Sequence, residues 1–151
     1  MRASLAARGW ARAADAVPKA VRDDLLAAAA SAHWTPQAGE DHALDTAPLT
    51  APDLMAALGA TSLRLIRHAP GQWGLPPAEA GRIGLVLDLI SDWPSAHGGL
   101  LLVQDGEPLR GWRPEPGALT LFDRSRPPTL SLVTPAARTP RLAVLGVLQD
   151  I

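Results

Sequence analysis

Four histidines (His33, His42, His68 and His97) are the only imidazoles in the chain, and there is no cysteine. Thiol nucleophiles, disulfides and zinc–thiolate centres are therefore excluded. His33 ends an expected helix and His42 sits in a polar stretch, neither with a ligand-type partner two or four residues on. His68 precedes Ala69-Pro70-Gly71, and His97 precedes Gly98-Gly99. Asp88 and Asp92 flank the end of an apolar run; a carboxylate pair can do acid–base work, but solvation at a strand end is the simpler reading. Ser95 and Ser131 have no nucleophile-elbow context, and Gly98-Gly99 lacks the strand–turn–helix setting of a phosphate loop. Arg141 is the most demanding cation, because it opens the apolar run RLAVLGVL. Such a residue either pairs with a surface carboxylate or covers apolar surface with its stem.

These residues need elements to hold them. Trp10–Val17 reads as a short strand closed by Pro18, which suits a helix start. From Lys19 to His33, Val21, Leu25, Ala28, Ala29 and Ala32 recur at helical spacing. Residues 35–49 show no period and read as a loop, and Thr50 to Gly59 as a second short helix with Thr50 as cap. Strands are expected at Ser62–His68, Ile83–Ile90, Leu100–Gln104, Pro108–Trp112, Ala118–Phe122, Thr129–Val133 and Leu142–Leu148. Asp105-Gly106 and Pro114 to Gly117 supply turns between them. Two helices followed by about seven strands predict a mainly β chain, a sandwich or jelly roll with helices packed on one sheet.

The order of several short motifs is more specific than any one of them. His68-Ala69-Pro70-Gly71, Ser91-Asp92-Trp93, His97-Gly98-Gly99-Leu100, Pro114, Leu121-Phe122, and Arg141 with Gly146 follow one another along the chain. This order resembles the prolyl-4-hydroxylase-like 2-oxoglutarate/Fe(II) oxygenases, with His68 in an aromatic slot and Val147 in place of a tryptophan. The resemblance runs from about Trp10 and makes Pro18–Trp34 a support helix. It implies a double-stranded β-helix (jelly roll, cupin-like) with helical support over about 10–60 and a β-core over about 61–149, one domain across 1–151. It also implies a role for Arg141, which would bind the distal carboxylate of 2-oxoglutarate as a bidentate pair.

The same resemblance places the iron ligands, two histidines and one carboxylate. Its His-x-Asp slot falls on Pro77-Ala78-Glu79, and its distal histidine slot, ten residues before Arg141, on Ser131. Proline has no donor atom and serine is a poor substitute for imidazole, so a degenerate member is expected, with no catalytic residue, metal or cofactor of its own. His68, Trp73 and Trp93 are the pocket candidates, and a partner protein or a small carboxylate the expected ligand. The alternative is an active dioxygenase with a metal site rebuilt from His68, His97 and Glu79.

Composition sets the remaining bounds. The 151 residues carry a net charge of −1 with no clustered basic patch, which argues against nucleic acid. No apolar run approaches the roughly 20 residues of a membrane span. A cytoplasmic protein, alone or as a homo-oligomer, is the expectation. The five tryptophans, Trp10, Trp34, Trp73, Trp93 and Trp112, read as core and rim packing, with Trp73 and Trp112 able to line a groove.

Overall fold

In a computed structural model, which describes residues 1–77 and 83–149, the strands form two antiparallel sheets that face each other as a jelly roll. In chain order the elements are α1 (Arg2–Arg8), β1 (Trp10–Ala13), α2 (Lys19–Ala30), β2 (Thr35–Ala38), β3 (Ala43–Pro48), α3 (Pro52–Leu58), β4 (Ala60–His68), β5 (Ile83–Asp88), a 3₁₀ turn (Ser95–His97), β6 (Leu101–Gln104), β7 (Leu109–Trp112), β8 (Leu119–Asp123), β9 (Thr129–Leu130) and β10 (Arg141–Leu148). The larger sheet runs β1-β8-β5-β10-β4-β3-β2 and the smaller β7-β6-β9.

The period of two along each strand divides the core into two layers. On the outer face of the large sheet, Leu63, Leu65, Leu85, Leu87 and Val144 pack against Leu25 and Ala29 of α2. On the inner face, Ile66, Val86, Phe122, Ala143 and Leu145 meet Leu101 of the small sheet. All six residues of β5 are buried, which is why Ile83 to Leu87 read as an unbroken apolar run.

Two local expectations are corrected and one further helix is present. Residues 35–49 hold β2 and β3, not a loop; Pro36 sits on the edge strand β2, where a missing N–H costs little, and that masks the signal. Residues 2–8 form α1, which buries Leu5 and ends at Gly9. Thr50 is not a cap: Ala51 precedes α3, and no side chain caps it. The remaining strands and both expected helices lie where the spacing put them, with ends shifted by a few residues.

Candidate functional site

The inward-facing periodicity carries polar residues to one end of the barrel. Along β10 the inner positions are Leu145, Ala143 and then Arg141; along β4 they are Ile66 and His68; along β5, Val86 and Asp88. Register places Arg141 opposite His68, and Ala143 opposite Asp88. On the other flank, Arg12 of β1 lies opposite Thr120 of β8, which lies opposite Val86.

At this end Asp88 sits between two guanidinium groups. Arg141 Nη2 donates to Asp88 Oδ1 at 2.8 Å, and Arg12 Nη2 to Oδ2 at 3.3 Å. Arg12 Nη1 donates to the Thr120 hydroxyl at 2.7 Å, and Arg141 Nε to the Gly99 carbonyl at 2.8 Å. Arg141 is 0% exposed and Asp88 1%. Burial disfavours the charged form of Arg141, and the adjacent Asp88 carboxylate opposes that effect. Asp88 is therefore not a solvated strand-end carboxylate: it is the shared counter-ion of two arginines, and the solvated reading is corrected.

Glycine makes room for this arrangement. Gly99 has φ +61°, and a Cβ there would stand 3.2 Å from Arg141 Cδ and 3.1 Å from Val133 Cγ2. Trp93 closes the same end; it is buried and its indole N–H donates to the Gly98 carbonyl at 2.9 Å. His68 is also enclosed, its Nε2 2.7 Å from the Gly74 carbonyl oxygen, so that nitrogen carries the proton. Burial, reinforced by the charge of Arg141, lowers the imidazole from its usual 6.5 to about 4, against the raising effect of the Gly74 bond. The ring is neutral at physiological pH.

The opposite end of the barrel opens into a cleft of about 570 Å³. Its walls include Arg64 of β4, Phe122 and Arg124 around the end of β8, and Leu145 and Val147 of β10. Pro77 also lines it, whereas Arg141, Ser131, His68, Trp73 and Trp93 do not.

The structure thus distributes the site residues expected from sequence. Ser131 lies beside the small sheet, where its hydroxyl accepts the Leu100 N–H at 2.8 Å. The inward-facing positions near it are Leu130 and Val133, both fully buried. The Gly74 N–H bonds to the Leu130 carbonyl, so Ser131 lies across from residue 74, whereas Pro77 sits further along at the cleft. Glu79 lies outside the described residues. Trp73 is 39% exposed, and Trp112 packs at a tilt against Trp10, 4.9 Å between ring centroids, with Arg12 over its ring at 5.4 Å.

The residues described do not fit the iron ligand set that the resemblance implies. Pro77 offers no donor atom, the Ser131 hydroxyl is engaged, and no three histidine or carboxylate side chains gather as a metal site among the described residues. Arg12, Thr120 and Arg64 are polar residues that sequence reasoning passed over, and Asp88 was read without its arginine partners. An aspartate ending one buried run and an arginine opening another were the available signal for the Asp88 pair.

No family model matches the sequence, and no curated protein matches it significantly. Solved structures do. A Pseudomonas putida prolyl-4-hydroxylase superposes with a TM-score of 0.79 at 18% identity, over 99% of this chain and 96% of that one. A prolyl hydroxylase of Trichoplax adhaerens, in complex with a hypoxia inducible factor oxygen degradation domain peptide, gives 0.74 at 13% over 97% and 86%. HygX from Streptomyces hygroscopicus, with nickel, 2-oxoglutarate and hygromycin B bound, gives 0.68 at 7% over 96% and 84%. These neighbours correct the expectation that this chain has no cofactor, since HygX carries nickel and 2-oxoglutarate on the same fold. The chain has the fold of the prolyl-4-hydroxylase-like 2-oxoglutarate/Fe(II) oxygenases.

Proposed function

We propose that this chain uses the oxygenase fold as a non-catalytic binding module, taking a small carboxylate or a partner protein in place of turning over 2-oxoglutarate. One observation carries the reading. The guanidinium that the resemblance assigns to the cosubstrate carboxylate, Arg141, is fully buried and already committed to Asp88 and Gly99. A carboxylate on the protein occupies the electrostatic role that the cosubstrate's carboxylate would fill, and Arg12 neutralises the second oxygen. Arg141 Nη1 is its one nitrogen without a partner among the described residues, so a second carboxylate entering there shares this cation with Asp88.

The test is 2-oxoglutarate turnover, read as succinate formed with added Fe(II) and ascorbate. No succinate above the protein-free background is expected. Turnover that vanishes in Arg141→Ala would overturn the reading.

One observation favours the alternative, an active dioxygenase with a rebuilt metal site. The Nδ1 atoms of His68 and His97 are both buried without a hydrogen-bond partner among the described residues. An imidazole nitrogen with a free lone pair is a metal ligand in waiting. Stoichiometric iron after anaerobic purification, lost in His68→Ala, would decide for it.

A further inference from the structure

We propose that the cleft at the open end of the barrel is an anion site for an organic carboxylate with an apolar body, its charge received by Arg64. The inference rests on reading the chain as a binding module and names the chemistry of what it binds.

Four observations converge on that ligand. The cleft, about 570 Å³, falls within the roughly 300–1,000 Å³ typical of small-molecule sites. Its walls are largely apolar, with the Phe122 ring and the Leu145 and Val147 side chains facing the space. Arg64 and Arg124 supply positive charge, against one described carboxylate, Asp41. Asp41 is kept anionic chiefly by its 2.8 Å hydrogen bond with His42, so it is already partnered.

The fourth observation separates Arg64 from its neighbours. Arg12 and Arg141 share Asp88, and Arg67 of the same strand holds Asp45 through both Nε and Nη2. Arg64 shares the inward face of the large sheet with Arg12 and Arg141 and is half-buried, yet its guanidinium makes no hydrogen bond or ion pair among the described residues. A guanidinium against an apolar wall is screened less than one in water, so a carboxylate placed there gains a charge-assisted, forked pair. Ser62 and Thr129 add hydroxyl donors at the same walls. No helix N-terminus lies among the described residues of its walls, and the donors there are guanidinium and hydroxyl groups, which suit a carboxylate.

The experiment compares 2-naphthoate with uncharged 2-naphthamide by titration calorimetry on the full chain. The acid should bind at least about tenfold more tightly than the amide, a preference that shrinks as salt is raised. Arg64→Gln should bring the acid down to the affinity of the amide while the melting temperature stays at the wild-type value. Arg64→Lys, which keeps the charge, should retain part of the preference. Equal affinity for acid and amide in the wild type, or an unchanged preference in Arg64→Gln, would overturn the proposal. Succinate formation would sink the non-catalytic reading and leave the naphthoate result standing, so the two failures are distinguishable.

Discussion

Asp88 and Arg141 stand on neighbouring antiparallel strands, two registers apart, with 2.8 Å between carboxylate and guanidinium and both side chains buried. Removing Asp88 leaves two guanidinium groups facing each other in the interior. Breaking a buried pair from one side costs about 3–5 kcal/mol. Asp88→Ala should lose stability in that range by urea denaturation. Arg141→Met should lose less, because Arg12 still neutralises Asp88 and the thioether fills part of the space. If Asp88→Ala melts like the wild type, the pair does not anchor this end of the barrel.

Gly99 tests whether the arginine needs its glycine. Both Gly99 and Gly59 have positive φ, +61° and +67°, and alanine at either is strained. A Cβ at Gly59 meets nothing within 4 Å, whereas at Gly99 it crowds Arg141 Cδ and Val133 Cγ2. Gly99→Ala should therefore lose about 1–3 kcal/mol and always more than Gly59→Ala. Equal losses in the two variants would mean that backbone strain alone operates and that Arg141 moves aside freely.

Trp112 joins the small sheet to the large one. Its ring lies 4.9 Å from that of Trp10 and beneath the guanidinium of Arg12, which in turn holds Asp88. Trp112→Ala should cost about 1–3 kcal/mol from the lost aromatic pair and cation–π contact. Combined with Asp88→Ala the losses should be non-additive, because both act through Arg12. Strict additivity in the double-variant cycle would disconnect the tryptophan pair from the ion cluster.

The fold was legible where strand periodicity is strong. Ile83 to Leu87 and Leu142 to Leu148 are apolar on both faces because helices cover one side and the small sheet the other. It was illegible at β2 and β3, since Thr35-Pro36-Gln37-Ala38 forms an exposed edge pair whose composition is that of a loop. The site was legible only as single residues. Arg141 drew notice by its position, but its partner Asp88 lies 53 residues away, and no local pattern ties the two. Arg64 alternates with Leu63 and Leu65 like any exposed strand residue, and only the tertiary fold reveals that its face lines a cleft.

His68 should make the fold sensitive to acid. Its imidazole is neutral in the folded chain with a value near 4, while in the unfolded chain it titrates near 6.5. Between those values the unfolded state binds more protons than the folded one, so stability rises with pH across that window and is fully present above 6.5. Lowering the pH from about 7 to about 4 should remove up to about 3 kcal/mol through this residue. Arg141 disfavours the imidazolium and Asp45 favours it, so the residue's neighbours divide in sign, and burial decides the direction. In His68→Gln, whose amide can still donate to the Gly74 carbonyl, the slope of unfolding free energy between pH 4 and 6.5 should flatten by that amount. An unchanged slope in that variant, measured by urea midpoints at matched ionic strength, would show that the ring is already protonated or that this end of the barrel admits water.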